Sequence, residues 1–157
     1  MSLILNSHSV EETERIAQLC GQRLNPCVIA MTGDLGAGKT AFTRGLARGL
    51  GFEGEVSSPT FAIVHEYVGG RLPLYHFDMY RIGGWEDLYS CGYFDYIEQE
   101  CVISVEWSEN IVAALPDKHI TVDIRRGETE NDRIITVSGT DALNAVEWGD
   151  VNEDISH

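Results

Sequence analysis

Lysine is nearly missing from this chain: Lys39 and Lys118 are the only two in 157 residues. Positive charge is scarce altogether, with 11 Lys and Arg against 25 Asp and Glu and a formal net charge of −14. A surface that acidic repels phosphate backbones, which argues against nucleic-acid binding by the chain alone. Long apolar runs are missing too. The longest candidate, residues 24–33, contains Pro26 and falls short of the roughly 18 to 20 apolar residues that a membrane-spanning helix needs. The start of the chain carries Glu11, Glu12 and Glu14 and lacks a basic stretch followed by an apolar one, so neither a secretory signal nor a transit peptide is expected, and the expected location is cytoplasmic. Close cysteine pairs are also absent. Cys20, Cys27, Cys91 and Cys101 are scattered through apolar neighbourhoods, which excludes a zinc-finger spacing and predicts buried, reduced thiols.

The composition that remains is that of a folded domain: 43% hydrophobic and 23% charged residues exclude wholesale disorder, and the length suits one core. Ser9 followed by Glu12 is a capping-box pattern, and Ile16, Cys20 and Leu24 recur at helical spacing, predicting a helix over 10–24. Residues 27–31 are apolar on both faces, as in a strand buried within a parallel sheet. A glycine-rich loop follows, then Phe42, Leu46 and Leu50 predict a helix over 39–50. Strands over 61–68 and 74–80, joined through Gly69-Gly70-Arg71, predict an antiparallel hairpin. A short helix over 85–90 and a buried strand over 101–105 come next, followed by a helix capped by Ser108 that reaches Leu115. Alternating strands over 120–124 and 133–138 flank a turn at 127–132, and the acidic residues after 140 are expected to fray.

Chemistry concentrates at Gly33-Asp34-Leu35-Gly36-Ala37-Gly38-Lys39-Thr40, which matches GxxxxGK[ST] between a predicted strand and a predicted helix. Its glycines allow successive amides to point inward, and with the helix N-terminus they form a cradle for phosphates. Lys39 then reaches the β- and γ-phosphates, and the Thr40 hydroxyl is placed to ligate Mg²⁺, an ion that needs few protein ligands. A triphosphatase also needs an acid near the metal. Glu106 ends the 101–105 strand and Asp78 lies in the 74–80 strand; either one suits Mg²⁺ through water or the orientation of an attacking water, and for each the plain alternative is a solvated strand end. His76, alone on its strand, reads as a structural histidine before a ligand. Ser57 to Phe61 is either a loop that senses the γ-phosphate or an ordinary proline turn.

Taken together, GDLGAGKT at 33–40, SPTF at 58–61, HFDMYR at 76–81 and VEW at 105–107 resemble, in order and spacing, the TsaE family of bacterial ATPases that serve tRNA threonylcarbamoyladenosine formation. The resemblance spans most of residues 9–140. It implies an α/β fold, a single P-loop NTPase-like domain over 1–140 whose central mixed sheet, parallel plus antiparallel, is flanked by helices, followed by an acidic tail over 141–157. It further implies ATP and Mg²⁺ as cofactors. Asp34, Leu35, Gly36, Ala37, Gly38, Lys39 and Thr40 would lie on the phosphates, with Thr40 and Glu106 at the metal. Lys39, Asp78 and Glu106 would act in hydrolysis and Thr60 in a nucleotide-sensitive loop. Trp107 would lie beside the site, and Arg133 or the start of the first helix near Ser9 would border the adenine. The implied partners are TsaB and TsaD, with tRNA engaged only through them, no membrane, and slow hydrolysis that resets their assembly. Two features depart from the family pattern: Ala41 stands where many relatives have a second hydroxyl, and the segment after 140 lies outside the motifs. A small-molecule kinase, or a nucleotide-gated binding module without essential hydrolysis, remain the competing readings of the same loop.

Overall fold

A computed structural model describes residues 2–34, 36–56, 63–80, 82–144, 146 and 148. The expected Leu35, the 57–61 loop with Thr60, and Arg81 of the HFDMYR segment lie outside the described residues. Seven strands form one sheet in the order β1-β7-β6-β2-β5-β4-β3. These are β1 (Ser2–Ser7), β2 (Cys27–Gly33), β3 (Val64–Tyr67), β4 (Leu74–Asp78), β5 (Val102–Glu106), β6 (Ile120–Arg126) and β7 (Arg133–Ser138). The middle four, β6, β2, β5 and β4, run parallel, whereas β7 and β1 on one side and β3 on the other are antiparallel additions. The sheet is therefore mixed, as expected, and three of its parallel strands, β2, β4 and β5, are buried on both faces.

One face is covered by α1 (Val10–Arg23) and α2 (Lys39–Gly49), which set Ile16, Cys20, Phe42 and Leu46 against Ile29, Met31 and Val122. Each such side chain, fully buried, contributes roughly 1.5–3 kcal/mol. The two helices pack closely because three glycines remove side chains from their contact. A Cβ on Gly45 would lie 2.2 Å from the Glu14 carbonyl oxygen, one on Gly49 2.2 Å from that of Gln18, and one on Gly21 2.6 Å from that of Leu46. The other face is covered by α3 (Trp85–Ser90), the single turn α4 (Tyr93–Tyr96) and a 3-10 helix over Ser108–Ala114, which close on Phe77, Ile103 and Val105.

Several expectations need correction. Ser2–Ser7 forms an edge strand paired with β7; with Leu5 buried and Ile4 66% exposed, the apolar run Leu3-Ile4-Leu5 hid a strand alternation that only the sheet reveals. The α4 turn was likewise unforeseen. The helix expected to be capped by Ser108 is a 3-10 segment capped by Trp107, with a break at Ile111. All four cysteines are free, but only Cys20 and Cys101 are buried; Cys27 and Cys91 are half-buried. Packing also continues past residue 140, since Leu143 and Val146 belong to the same core cluster as Ile16 and Leu5.

Gly45→Ala should destabilise the protein by about 1–3 kcal/mol, because the new methyl forces α1 and α2 apart. Gly84→Ala, where φ is 167° and nothing lies within 4 Å of the added Cβ, should stay within about 0.5 kcal/mol of wild type. Denaturant midpoints at constant slope measure both.

Candidate functional site

The loop after β2 begins with a backbone crossing that admits only glycine. Gly33 has φ 132°, and a Cβ there would come within 1.9 Å of the Ile124 carbonyl oxygen on neighbouring β6. The Asp34 amide donates to that same oxygen at 3.3 Å, and the Ala37 amide donates to the Asp34 carbonyl at 3.1 Å, closing a turn. Gly36 at φ 73° and Gly38 at φ 114° take left-handed conformations, and Gly38 is the N-cap of α2. Lys39 and Thr40 then open the helix. Alternating left-handed glycines before a helix N-terminus direct amide N–H groups into one concavity, which suits an anionic ligand.

The loop is also held from outside. Arg133, the first residue of β7, donates from Nε to the Ala37 carbonyl at 2.8 Å, while its Nη1 donates to the Glu130 and Asp132 carbonyls at 2.6 and 2.8 Å. Three backbone carbonyls thus engage its guanidinium and tie the β6–β7 turn to the phosphate loop. Arg126, its partner across the strands, lies against the loop as well: a Cβ on Gly36 would be 3.3 Å from its Nη2. The start of α1 joins this corner, because His8 Nδ1 lies 2.9 Å from Asp132 Oδ1 while the Ser9 side chain accepts from the Glu12 amide at 3.1 Å. Arg133 therefore stands against the loop as a tether, while Ser9 caps α1 next to His8, which reaches the β6–β7 turn.

On the other side of β2, the carboxyl ends of β5 and β4 bring the two acids together. Asp78 and Glu106 are register partners, and partners in parallel strands point to the same face. Asp78 Oδ1 accepts the Tyr80 amide at 3.0 Å, capping the turn that leaves β4. Glu106 is only 12% exposed, with Oε2 3.3 Å from Nε2 of the buried His76. Burial pushes the Glu106 pKa upward, but the hydrogen bond from His76, the charge on that ring and the charge on Lys39 together hold it below the ordinary carboxylate value. Lys39 and Glu106 thus share one electrostatic neighbourhood.

Trp107, which follows Glu106 in the chain, lies against Lys39. Among the described residues it is the only non-glycine with positive φ, at 58°, a conformation that costs a bulky residue on the order of 1–3 kcal/mol. The twist swings its ring against Tyr80, centroids 5.0 Å apart, and beneath the Lys39 ammonium, which lies 5.5 Å from the ring centroid. Such a cation–π contact contributes about 0.5–1 kcal/mol and keeps the ammonium at the mouth of the loop.

Mg²⁺ suits this donor set. An ionised carboxylate at Glu106 and a hydroxyl at Thr40 are hard oxygen ligands, and among the described residues no cluster of three His, Cys, Asp or Glu could hold a metal unaided. That is the pattern for an ion that takes the rest of its coordination from phosphate and water. Among the described residues no helix is long and apolar enough to cross a membrane.

The family model described as Threonylcarbamoyl adenosine biosynthesis protein TsaE matches residues 7–135. The chain belongs to the TsaE family. It is 44% identical over 132 residues to the tRNA threonylcarbamoyladenosine biosynthesis protein TsaE of Bacillus subtilis (strain 168), covering 82% of each chain. It is 40% identical over 125 residues to the protein of the same name from Treponema pallidum (strain Nichols), covering 76% of this chain and 88% of that one. Its structure is similar to a crystal structure of Bacillus subtilis YdiB, with a TM-score of 0.73, 34% identity, and coverage of 99% and 95% of the two chains.

In this TsaE-family chain, Asp34, Gly36, Ala37, Gly38, Lys39, Asp78, Glu106 and Trp107 gather on one sheet edge with Arg133 behind the loop. Three residues that touch this arrangement were not foreseen. Ser104 was legible as the one hydroxyl inside an otherwise apolar run, whereas Arg126 and Asp132 carried no local signal because only strand pairing brings them here.

The hydrogen bond to Asp132 raises the His8 pKa above 6.5, and the same bond lowers that of Asp132 below 3.8. The His8 contribution to stability is therefore complete below pH 6.5 and is lost as pH rises through its folded value; the Asp132 contribution is present above pH 3.8 and is lost as pH falls through its own. NMR titration should place the His8 ring above 6.5 in wild type and return it toward 6.5 in Asp132→Asn.

Proposed function

We propose that this chain acts in tRNA threonylcarbamoyladenosine biosynthesis as a slow Mg²⁺-dependent ATPase that binds TsaB and TsaD and resets their assembly between cycles. The observation that carries the chemical part is the joining of a glycine-built phosphate loop to an ionised, largely buried Glu106 through the shared field of Lys39. Family membership carries the biological part.

In this reading the loop amides and Lys39 bind the β- and γ-phosphates, and Thr40 and Glu106 hold Mg²⁺. When bound, the metal neutralises charge on the phosphate oxygens. Asp78 or Glu106 accepts a hydrogen bond from the attacking water and orients it in line with the γ-phosphorus, which is most of what a protein can add to phosphoryl transfer. Both acids lie on one face at the carboxyl ends of adjacent strands, which makes either a candidate for that role. Trp107 closes one side of the pocket, Arg133 keeps the loop in its binding shape beside the adenine end, and Thr60 belongs to a loop that responds to the γ-phosphate. A free energy released slowly and coupled to partners needs no acceptor pocket beyond water. The net charge of −14 fits a subunit that meets tRNA only through TsaB and TsaD, in the cytoplasm.

Phosphate release from Mg·ATP should be slow with the purified protein, rise when TsaB and TsaD are added, and fall by at least about a hundredfold in Lys39→Ala, a size typical of losing one preorganised electrostatic group. A flat trace unaffected by partners, or a Lys39→Ala protein as active as wild type, contradicts the proposal.

A further inference from the structure

The face of β4 and β5 beneath α2 is built in three register layers: Leu74 with Val102, His76 with Ser104, and Asp78 with Glu106. The first layer is apolar core and the third is the acidic edge of the site. The middle layer is anomalous. His76 is 2% exposed and Ser104 is fully buried, in a place where two aliphatic side chains would pack without any polar group to satisfy. Both are satisfied by each other and by the layer above: His76 Nδ1 meets the Ser104 hydroxyl, and His76 Nε2 meets Glu106 Oε2 at 3.3 Å. An ionised carboxylate only accepts, so Nε2 must present its N–H toward Glu106, and the Ser104 hydroxyl on Nδ1 holds the ring in that orientation. The hydroxyl accommodates this whether it donates to a neutral ring or accepts from a charged one.

We propose that His76, anchored by Ser104, is the positioning residue that fixes the Glu106 carboxylate in the orientation needed for Mg²⁺ and ATP. It touches neither nucleotide nor metal. Buried partners of this kind orient a ligand and commonly shift metal affinity by about 10- to 100-fold when removed. The inference rests on the nucleotide reading above and adds to it a specific dependence of one side chain on two others.

The test is calorimetric binding of ATP by the full chain as Mg²⁺ is raised, with phosphate release as a second readout. His76→Gln places an amide nitrogen near the position of Nε2 and should keep the Mg²⁺ requirement close to that of wild type. His76→Asn places its amide toward Ser104, too short for Glu106, and should raise the Mg²⁺ concentration for half-maximal effect by about tenfold or more. Ser104→Ala, a small change at a buried site, should raise it severalfold by freeing the ring. Added to Glu106→Gln, His76→Asn should cause no further change, because residues acting as one unit are non-additive.

Equal behaviour of the Gln and Asn variants, a Ser104→Ala protein with the wild-type Mg²⁺ requirement, or a full additional loss from His76→Asn in the Glu106→Gln background would each overturn the proposal. Should the His76 variants fail to fold, the Ser104→Ala result decides. A wild-type protein whose ATP binding ignores Mg²⁺ would overturn the nucleotide reading and this one together, and that outcome is visible before any variant is made.

Discussion

An ionised carboxylate that is mostly out of water must have its charge answered by the protein, and Glu106 imposes that demand on everything around it. It is answered from two directions, by an N–H from His76 below and by the Lys39 ammonium across the site. The first requires a polar layer in the middle of a buried sheet face. The second requires the phosphate loop to end where its lysine can reach the carboxyl end of β5. The strand order meets both requirements, because β5 lies directly beside β2 and β4 lies beside β5, all three parallel. Their carboxyl ends therefore open on one edge, where open α/β sheets bind ligands.

The loop itself is shaped by backbone economy. At Gly33 the chain leaves β2 against the Ile124 carbonyl, which leaves no room for a side chain. Arg133 then pulls on the Ala37 carbonyl from the far side. In a trans peptide the carbonyl and the following amide point opposite ways, so anchoring the Ala37 oxygen fixes the direction of the Gly38 N–H. Trp107 contributes by strain of another kind: its left-handed backbone starts the 3-10 helix and carries its ring under Lys39. The α1–α2 glycine contact brings the second helix close against the first and sets where its N-terminus stands.

Much of this was legible in the sequence, and the limits of legibility have physical causes. The phosphate loop could be read because GxxxxGK[ST] needs its residues consecutively, and the buried strands 27–31 and 101–105 because a sheet interior is apolar on both faces. The acids Asp78 and Glu106 were found by their place at strand ends. Ser2–Ser7 was missed since Ile4 points outward between two inward leucines, which blurs the alternation at an edge. The segment after Trp107 has the apolar spacing of a helix, and nothing local announces that Trp107 would take a left-handed conformation and cap a 3-10 turn. The tethering role of Arg133 and the pairing of His8 with Asp132 depend on strand register across the sheet, which no local pattern encodes. His76 was read as structural. Its burial fits that reading, but its contact with Glu106 gives the structure a direction.

The proposed nucleotide site at this edge is tested most directly by a crystal structure of the chain with Mg²⁺ and a non-hydrolysable ATP analogue. The account predicts the β- and γ-phosphates in the loop between Gly33 and Thr40, the Lys39 ammonium drawn from Trp107 toward them, and the metal between Thr40 and Glu106. Nucleotide bound elsewhere, or an empty loop at saturating analogue, would contradict it.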